Sequence, residues 1–439
     1  MNNLLSRDKS FMPSVLSAVI RRALLFQVCI TAGFETIFVL GALSAQRLSG
    51  TDRLFGLSTT TAFAFGQLLM SFPAGRWMDK RGRRPILMLG ALGEAGALVF
   101  MGVALLSGSS GLFTFGLLIL GLGSGAAQLV YLIGGDIFPP TRRAEGLGLM
   151  TTFASVGVVG GAYLVGLIGD TAKGIGLDPV ITPWFFASVV VALAAWVMYG
   201  LKPEPLEVAR RPEVYYGGKN PEAMPDFNGK TSPVRNLGEL LKLYPIAASV
   251  GILVCFQGVR MSIIPLLTYI LRAKGYSLTL GATMIAAMGF GMILASFPVG
   301  RLGDRWGRKK PLILAAMVGL VCAVMIPLVS SLFLMFVLLV ILGAAFVTVL
   351  AMTRTIMTDV TGAQERGTVM AASMVGVGIA VIIFPTIASY VLATWGWSAI
   401  SWTGAALMIL AFVQIAFLRE KGVGKWDHPG VIKEQGELP

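Results

Sequence analysis

The chain has 439 residues, of which 55% are hydrophobic and 13% charged, and a formal net charge of +13. Soluble proteins carry about twice that charged fraction, and a soluble surface this apolar would self-associate, so the composition excludes a soluble globular class and points to a chain embedded in a bilayer. The basic excess could suggest a nucleic-acid partner, but its placement along the chain argues against one.

Charged residues gather in short runs between apolar stretches of about twenty residues, the length a helix needs to cross about 30 Å of hydrocarbon. Twelve spans are expected, over roughly 23–46, 55–77, 85–107, 112–134, 144–168, 181–200, 244–270, 279–300, 311–330, 332–353, 367–393 and 395–418. With the N-terminus inside, the inner segments, counted with Arg76 at the inner end of the second span, hold 29 of the 35 Lys and Arg, the outer loops hold five, and Arg260 alone lies in mid-span. That asymmetry is the positive-inside signature. It leads to a multi-pass protein of a cell membrane, expected to be a bacterial inner membrane, with both termini cytoplasmic. Cys29, Cys255 and Cys322 fall within spans and show no disulfide or metal spacing. The first span has no small-residue cleavage site after it and carries a mid-helix acid, so it reads as a retained helix.

Residues 1–22 form a short lead ending near Arg21-Arg22. The first span places Gln27, Thr31 and Glu35 at four-residue steps, hence on one face. Such a stripe must face protein or a water-filled cavity, because lipid satisfies no polar group. The third span contains Glu94. The fourth has Gly121, Gly123 and Gly125, then Ser124, Gln128 and Tyr131 on one face, and ends near Asp136. Gly157 and Gly161 in the fifth permit a close helix contact. The sixth begins near Trp184 and ends near Trp196 and Tyr199, an expected pair of interfacial anchors. Residues 201–243 are proline-rich and too polar for a core of their own. They read as a cytoplasmic linker with a short interfacial helix at 237–243. The seventh span carries Gln257, Arg260 and Thr268, the tenth ends with Thr353, Arg354 and Asp359, and the polar tail from Arg419 is expected to be disordered.

The chain contains one basic stretch twice. Gly75-Arg76-Trp77-Met78-Asp79-Lys80-Arg81-Gly82-Arg83-Arg84 recurs 225 residues later as Gly300-Arg301-Leu302-Gly303-Asp304-Arg305-Trp306-Gly307-Arg308-Lys309, each copy following a Ser-Phe-Pro (Ser71 to Pro73, Ser296 to Pro298). The same offset brings Gly33 onto Gly258 and Phe65-Gly66 onto Phe290-Gly291. At 223 it brings Asp136 onto Asp359 and Arg143 onto Arg366. The expected fold is all-α, with twelve transmembrane helices in two six-helix halves related by a pseudo-twofold axis along the membrane normal. The divisions are 1–200, the linker 201–243, 244–418 and the tail 419–439. The alignment also sets Glu35 on Arg260, so the two mid-membrane charges occupy equivalent positions.

The Gly-x-x-x-Asp-Arg/Lys-x-Gly-Arg-Arg/Lys stretch after the second span, repeated after the eighth, resembles the signature loop of the major facilitator superfamily. Span count, termini and linker extend the resemblance over nearly the whole chain. It implies a transporter in which Gly75 and Gly300 allow close helix approach. Asp79 would meet the start of the eleventh span and Asp304 the start of the fifth, where the helix dipole favours an anion. Arg83 and Arg308 would join charge networks there, forming a gate with Asp136, Asp359, Arg143 and Arg366. Two departures weaken assignment to the drug/proton antiporter branch: Leu117 stands where those proteins commonly carry an Arg, and Ala162 follows Gly161 where they carry a Pro.

Among single residues, Glu35 is the first candidate for proton coupling, since an acid whose protonation changes between states couples proton movement to cargo. The alternative is a static pair with Arg260, which could also bind an anionic group of the substrate. Glu94 is expected either to make a structural hydrogen bond or to move protons, and Gln128, Tyr131 and Gln257 either to line the cavity or to join helices. No cofactor, metal site or nucleophile–base constellation is found, and no enzymatic activity is expected. The partners expected are a small-molecule substrate, a proton and the lipid bilayer, with no nucleic acid and a monomeric chain. The leading reading is a proton-coupled secondary transporter working by alternating access. A uniporter, or a non-transporting receptor or assembly factor on the same fold, are the alternatives.

Overall fold

The computed structural model describes residues 14–50, 60–138, 143–210, 215, 237–361, 366–422 and 425–427. The described chain is almost wholly helical: α1 Ser14–Ser49, α2 Ala62–Arg81, α3 Arg83–Leu106, α4 Ser110–Ala127, α5 Tyr131–Ile137, α6 Arg143–Gly174, α7 Thr182–Tyr199 and α8 Pro205–Arg210. After the linker come α9 Leu237–Lys242, α10 Tyr244–Ala273, α11 Leu278–Trp306, α12 Lys309–Leu328, α13 Leu332–Asp359, α14 Arg366–Trp395 and α15 Ile400–Ala416. Eleven helices among the described residues are long and apolar enough to cross a membrane. The remaining expected span, 55–77, overlaps α2, which is not among those eleven. The first helix starts well before its apolar stretch and holds 36 residues, about 54 Å of helix.

Several helix starts are legible in the chain. Ser109, Ser277 and Ser331 stand at the N-caps of α4, α11 and α13, each accepting a hydrogen bond from the backbone N–H three residues on (Leu112 at 3.3 Å, Leu280 at 3.1 Å, Leu334 at 3.4 Å). A hydroxyl there satisfies one of the donors that a helix start leaves open. The reversals after α2 and α11 depend on glycine. Gly82 has φ 93° and Gly307 φ 82°, both with ψ near 180°, a region that essentially only glycine enters. These repeat-related glycines belong to the twin basic stretch.

By contacts the chain falls into two units, residues 1–36 with 65–230 and residues 37–64 with 231–439. In the first, α3 packs against α4 and α7. The α3–α4 crossing is tight: a Cβ on Gly123 would lie 2.9 Å from the Gly90 carbonyl oxygen, and one on Gly90 would lie 2.7 Å from the Ala127 nitrogen. The expected Gly157–Gly161 contact is present, with α1 as its partner. A Cβ on Gly157 would come 2.7 Å from the Val28 carbonyl oxygen, and one on Gly161 2.6 Å from that of Ala32. In the second unit the equivalent helices pack likewise, α12 against α13 and α15. There Gly291 abuts the Val340 carbonyl on α13, while its repeat partner Gly66 abuts the Leu118 carbonyl on α4.

Trp184, which opens the sixth span, is fully buried, its ring edge-on to Phe113 at 5.8 Å, while Trp196 and Tyr199, the expected interfacial pair, are exposed. The tail is not structureless from its start, because Glu420–Gly422 pairs antiparallel with Lys425–Trp426. Within the basic stretch the positive φ falls at Gly82 and not at Gly75, and a Cβ on Gly75 would meet no described atom within 4 Å. Replacing Gly82 or Gly307 by Ala should therefore cost about 1–3 kcal/mol in thermal melts in detergent, while Gly75→Ala should stay within about 0.5 kcal/mol of wild type.

Candidate functional site

The basic stretches build the same cluster in each unit. In the first, Arg83 Nε donates to Asp136 Oδ2 at 2.8 Å, joining the start of α3 to the end of α5, and both side chains are largely buried. Glu204, beyond α7, accepts from the backbone N–H groups of Arg83 and Arg84. A Cβ on Gly82 would lie 2.9 Å from the Glu204 carboxyl carbon. In the second unit Arg308 Nε donates to Asp359 Oδ2 at 3.4 Å and its Nη1 to the Gly303 carbonyl at 2.6 Å. Glu420 accepts from the N–H groups of Arg308 and Lys309, each at 2.8 Å at its shortest, and would sit 2.9 Å from a Cβ on Gly307. Each unit thus holds a carboxylate on the positive end of a helix and an Arg–Asp bond beside it. Burial pushes the Asp359 carboxyl up from its ordinary value, with Arg308 pulling it back.

Arg83 and Arg308 are therefore engaged with Asp136 and Asp359 within their own units. Glu204 and Glu420 were not singled out in the sequence. The signal is an acid four or five residues after the last helix of each half. Of the other residues named for this cluster, the side chains of Asp79, Arg143, Asp304 and Arg366 and the surroundings of Gly300 lie outside the described part of the structure.

Deeper in the first unit, Gln27 donates to Thr31 at 2.8 Å, and both are buried. Glu35, one step further along the stripe, has 0% exposure. Glu94 is also fully buried, and neither carboxyl oxygen has a hydrogen-bond partner among the described residues. Helix glycines crowd it: a Cβ on Gly33 would lie 3.7 Å from its Oε1, and one on Gly123 would lie 3.0 Å from its Cα. The structural hydrogen bond open to Glu94 is thus absent there. Gln128 and Tyr131 are half-buried; Gln128 opens, and Tyr131 follows, a 3-10 turn, Gln128–Val130, that separates α4 from α5. A short 3-10 stretch inside a helix often marks a hinge. In the second unit the matching helix, α13, is continuous. There Gln257 is buried, and half-buried Arg260 lies with its guanidinium carbon 5.1 Å from the Phe38 ring centroid and 5.7 Å from that of Phe346.

The family model described as Major Facilitator Superfamily matches residues 23–259 and again 249–437. The chain belongs to that superfamily. Among curated relatives, an uncharacterized MFS-type transporter of Bacillus subtilis, YdeG, is 30% identical over 63% of this chain and 62% of its own length. The riboflavin transporter RfnT of Brucella anthropi is 27% identical over 62% of this chain and 64% of its own length. The multidrug resistance protein MdtG of Dickeya zeae is 26% identical over 83% and 85%. The chain spans less than two thirds of the length of the first two. A bacterial homolog of the human lysosomal transporter Spinster, solved inward-facing, superposes with a TM-score of 0.64 at 19% identity, covering 92% of this chain and 95% of that one. The human organic anion transporter MFSD10 does so with a TM-score of 0.63 at 19% identity, over 92% and 100%. At that identity the two structures establish the superfamily fold alone.

Within this superfamily fold the twin clusters make separable predictions. Glu204→Ala and Glu420→Ala each leave two helix-end N–H groups without their acceptor and should cost about 1–3 kcal/mol in thermal melts. Folding raises the Asp359 carboxyl, so the folded chain holds that proton more tightly than the unfolded one. Its stabilising contribution is full below the ordinary value of 3.8 and is lost as pH rises through the raised one. Asp359→Asn should remove that loss, read as a flatter melting temperature between about pH 4 and about pH 7.

Proposed function

We propose that the chain is a secondary active transporter that moves a small organic molecule by alternating access, coupled to protons through Glu35. The observation that carries the reading is a carboxylic acid with 0% exposure inside a membrane-spanning helix of a superfamily member. Such a group is expensive to keep in a bilayer and is a functional residue by default. It continues the buried Gln27–Thr31 stripe, which supplies polar neighbours along one helix face. The 3-10 turn at Gln128–Val130 adds a point at which a spanning helix can bend. The halves, 1–200 and 244–418, move as bodies joined by the linker 201–243, with both termini cytoplasmic and a single chain as the working unit.

The relatives narrow the cargo by size and chemistry. RfnT is named for riboflavin, NiaP of Bacillus subtilis for niacin or nicotinamide, and MdtG for multidrug resistance. All point to small organic molecules. Leu117 is fully buried in α4 and offers no charge where drug/proton antiporters commonly carry one, which favours a metabolite over a broad drug spectrum.

The test is flux in proteoliposomes, with radiolabelled nicotinate and riboflavin as first probes, with and without an imposed pH gradient. Wild-type flux should rise with the gradient. Glu35→Gln should lose that response yet retain gradient-independent exchange and an unchanged melting temperature. A Glu35→Gln protein that still answers the gradient overturns the assignment of coupling to this residue.

A further inference from the structure

We propose that the first unit holds the headgroup phosphate of an anionic phospholipid at a site formed by Arg22, Arg84 and the end of α7. The site is separate from the transport reading above and is tested by binding alone.

Two guanidiniums from different helices meet successive residues at the end of α7. Arg84, in the first turn of α3, has its guanidinium carbon 5.1 Å from the Tyr199 ring centroid, within range of a cation–π contact. Arg22, on α1, lies against Gly200. A Cβ there would come 3.2 Å from the guanidinium carbon and 3.3 Å from each terminal nitrogen. The carbon is the nearest atom, so the group turns its flat face to the glycine. Among the described residues neither guanidinium makes a hydrogen bond or an ion pair, and each keeps its in-plane N–H donors for another acceptor. Glu204, the carboxylate that reaches the start of α3, is bonded instead to the backbone N–H groups of Arg83 and Arg84.

The second unit shows how such a cation is otherwise occupied. Under the 225-residue offset Arg84 corresponds to Lys309, and Arg22 to Ala247. Lys309 Nζ donates to the carbonyls of Ala416 and Leu418, at 3.1 and 2.6 Å, at the end of the last helix. Its counterpart Arg84 makes no such bond, and a second cation stands near it where the second unit has alanine.

The position selects the ligand. Arg83 begins one apolar span and Tyr199 ends another, so the cluster lies at the edge of the hydrocarbon, at the depth of headgroup phosphates. Trp196 and Tyr199 are exposed there, as aromatic residues at such an interface are. From Trp196 the exposed Leu193, Val189 and Phe186 continue along one face of α7 at three- and four-residue steps, an apolar track for an acyl chain. A phospholipid seated so has its tail on that track and its phosphate at the cations. Phosphate oxygens match the planar fork of a guanidinium, and basic pockets between spanning helices hold acidic headgroups. Arg21 and Lys202, both exposed, add positive charge that favours a net anionic headgroup over a zwitterionic one.

The experiment follows Trp196, whose emission is taken as that of wild type less that of Trp196→Phe. Purified protein is reconstituted in phosphatidylcholine vesicles with a fixed fraction of bromine-quenched lipid, either phosphatidylglycerol or phosphatidylcholine. Wild type should associate with the glycerol lipid at least about fivefold more tightly. Arg22→Gln with Arg84→Gln should bring that ratio to about one. Lys242→Gln with Lys310→Gln removes the same charge at exposed positions of the second unit and should leave the ratio at its wild-type value. Sodium phosphate and sodium chloride at equal ionic strength should lower it equally. Equal quenching by the two lipids in wild type, or an unaltered ratio in the Arg22 and Arg84 variant, overturns the proposal. So does an equal loss in the Lys242 and Lys310 variant, which would make net charge the cause. A loss in phosphate alone would assign the site to the free anion and not to lipid. The wild-type and salt comparisons stand even if a variant does not fold. Glu35→Gln should keep the full lipid preference, so failure of either proposal leaves the other untouched.

Discussion

A helix that begins in a loop leaves its first N–H groups without partners, and here two such starts, those of α3 and α12, are closed by a carboxylate from far along the chain. Glu204 covers the first and Glu420 the second. The rest of each cluster depends on that contact. The preceding glycine must take a conformation open to almost no other residue, and its lack of a side chain leaves room for the carboxylate. The arginine that follows is then aimed at the aspartate ending the fourth or tenth span. Charge, backbone conformation and side-chain size agree at this point in both units, which is why the basic stretch survives twice while much around it differs.

What the sequence made legible was periodic or repeated. Apolar runs of fixed length gave the spans, and the 225-residue offset paired Gly66 with Gly291, which structurally equivalent helix crossings then require. The Gly157–Gly161 spacing marked a contact that α1 fills. What stayed hidden depended on tertiary context. Glu204 and Glu420 sit in polar stretches where an acid looks like any solvated charge, and their partners are 121 and 112 residues away. The burial of Trp184 depends on Phe113, a residue of another helix, against which its ring packs. Gly75 and Gly82 lie in the same motif, and only the backbone angles show that Gly82 holds a conformation that requires glycine. Of the candidate site, the stripe through Glu35 was legible by helical spacing. The rings beside Arg260 come from two other helices and could not be read from α10.

The units share a scaffold but not a polar interior. The first carries two fully buried acids, Glu35 and Glu94, on neighbouring helices, and a fourth span broken by a 3-10 turn. The second carries a cation among aromatic rings and an unbroken tenth span. Duplication supplies two copies of a helix bundle; divergence of a few buried residues gives one copy an acidic character and the other a basic, aromatic one. Glu94 is the most expensive of these groups to explain by packing alone, since no hydrogen bond among the described residues offsets its burial.

The carboxylate caps also set a timetable for synthesis. A ribosome adds roughly 5–20 residues per second, so the start of α3 waits on the order of ten seconds before Glu204, 121 residues later, has been made. Until then its N–H groups depend on water or lipid headgroups, and the Arg83–Asp136 bond forms beside an unfinished helix end. The second half repeats the wait, closing only when Glu420, 112 residues after Arg308, has been made. Each cluster thus closes only after the last span of its own half has been made, and the first can be finished before the seventh span enters the membrane.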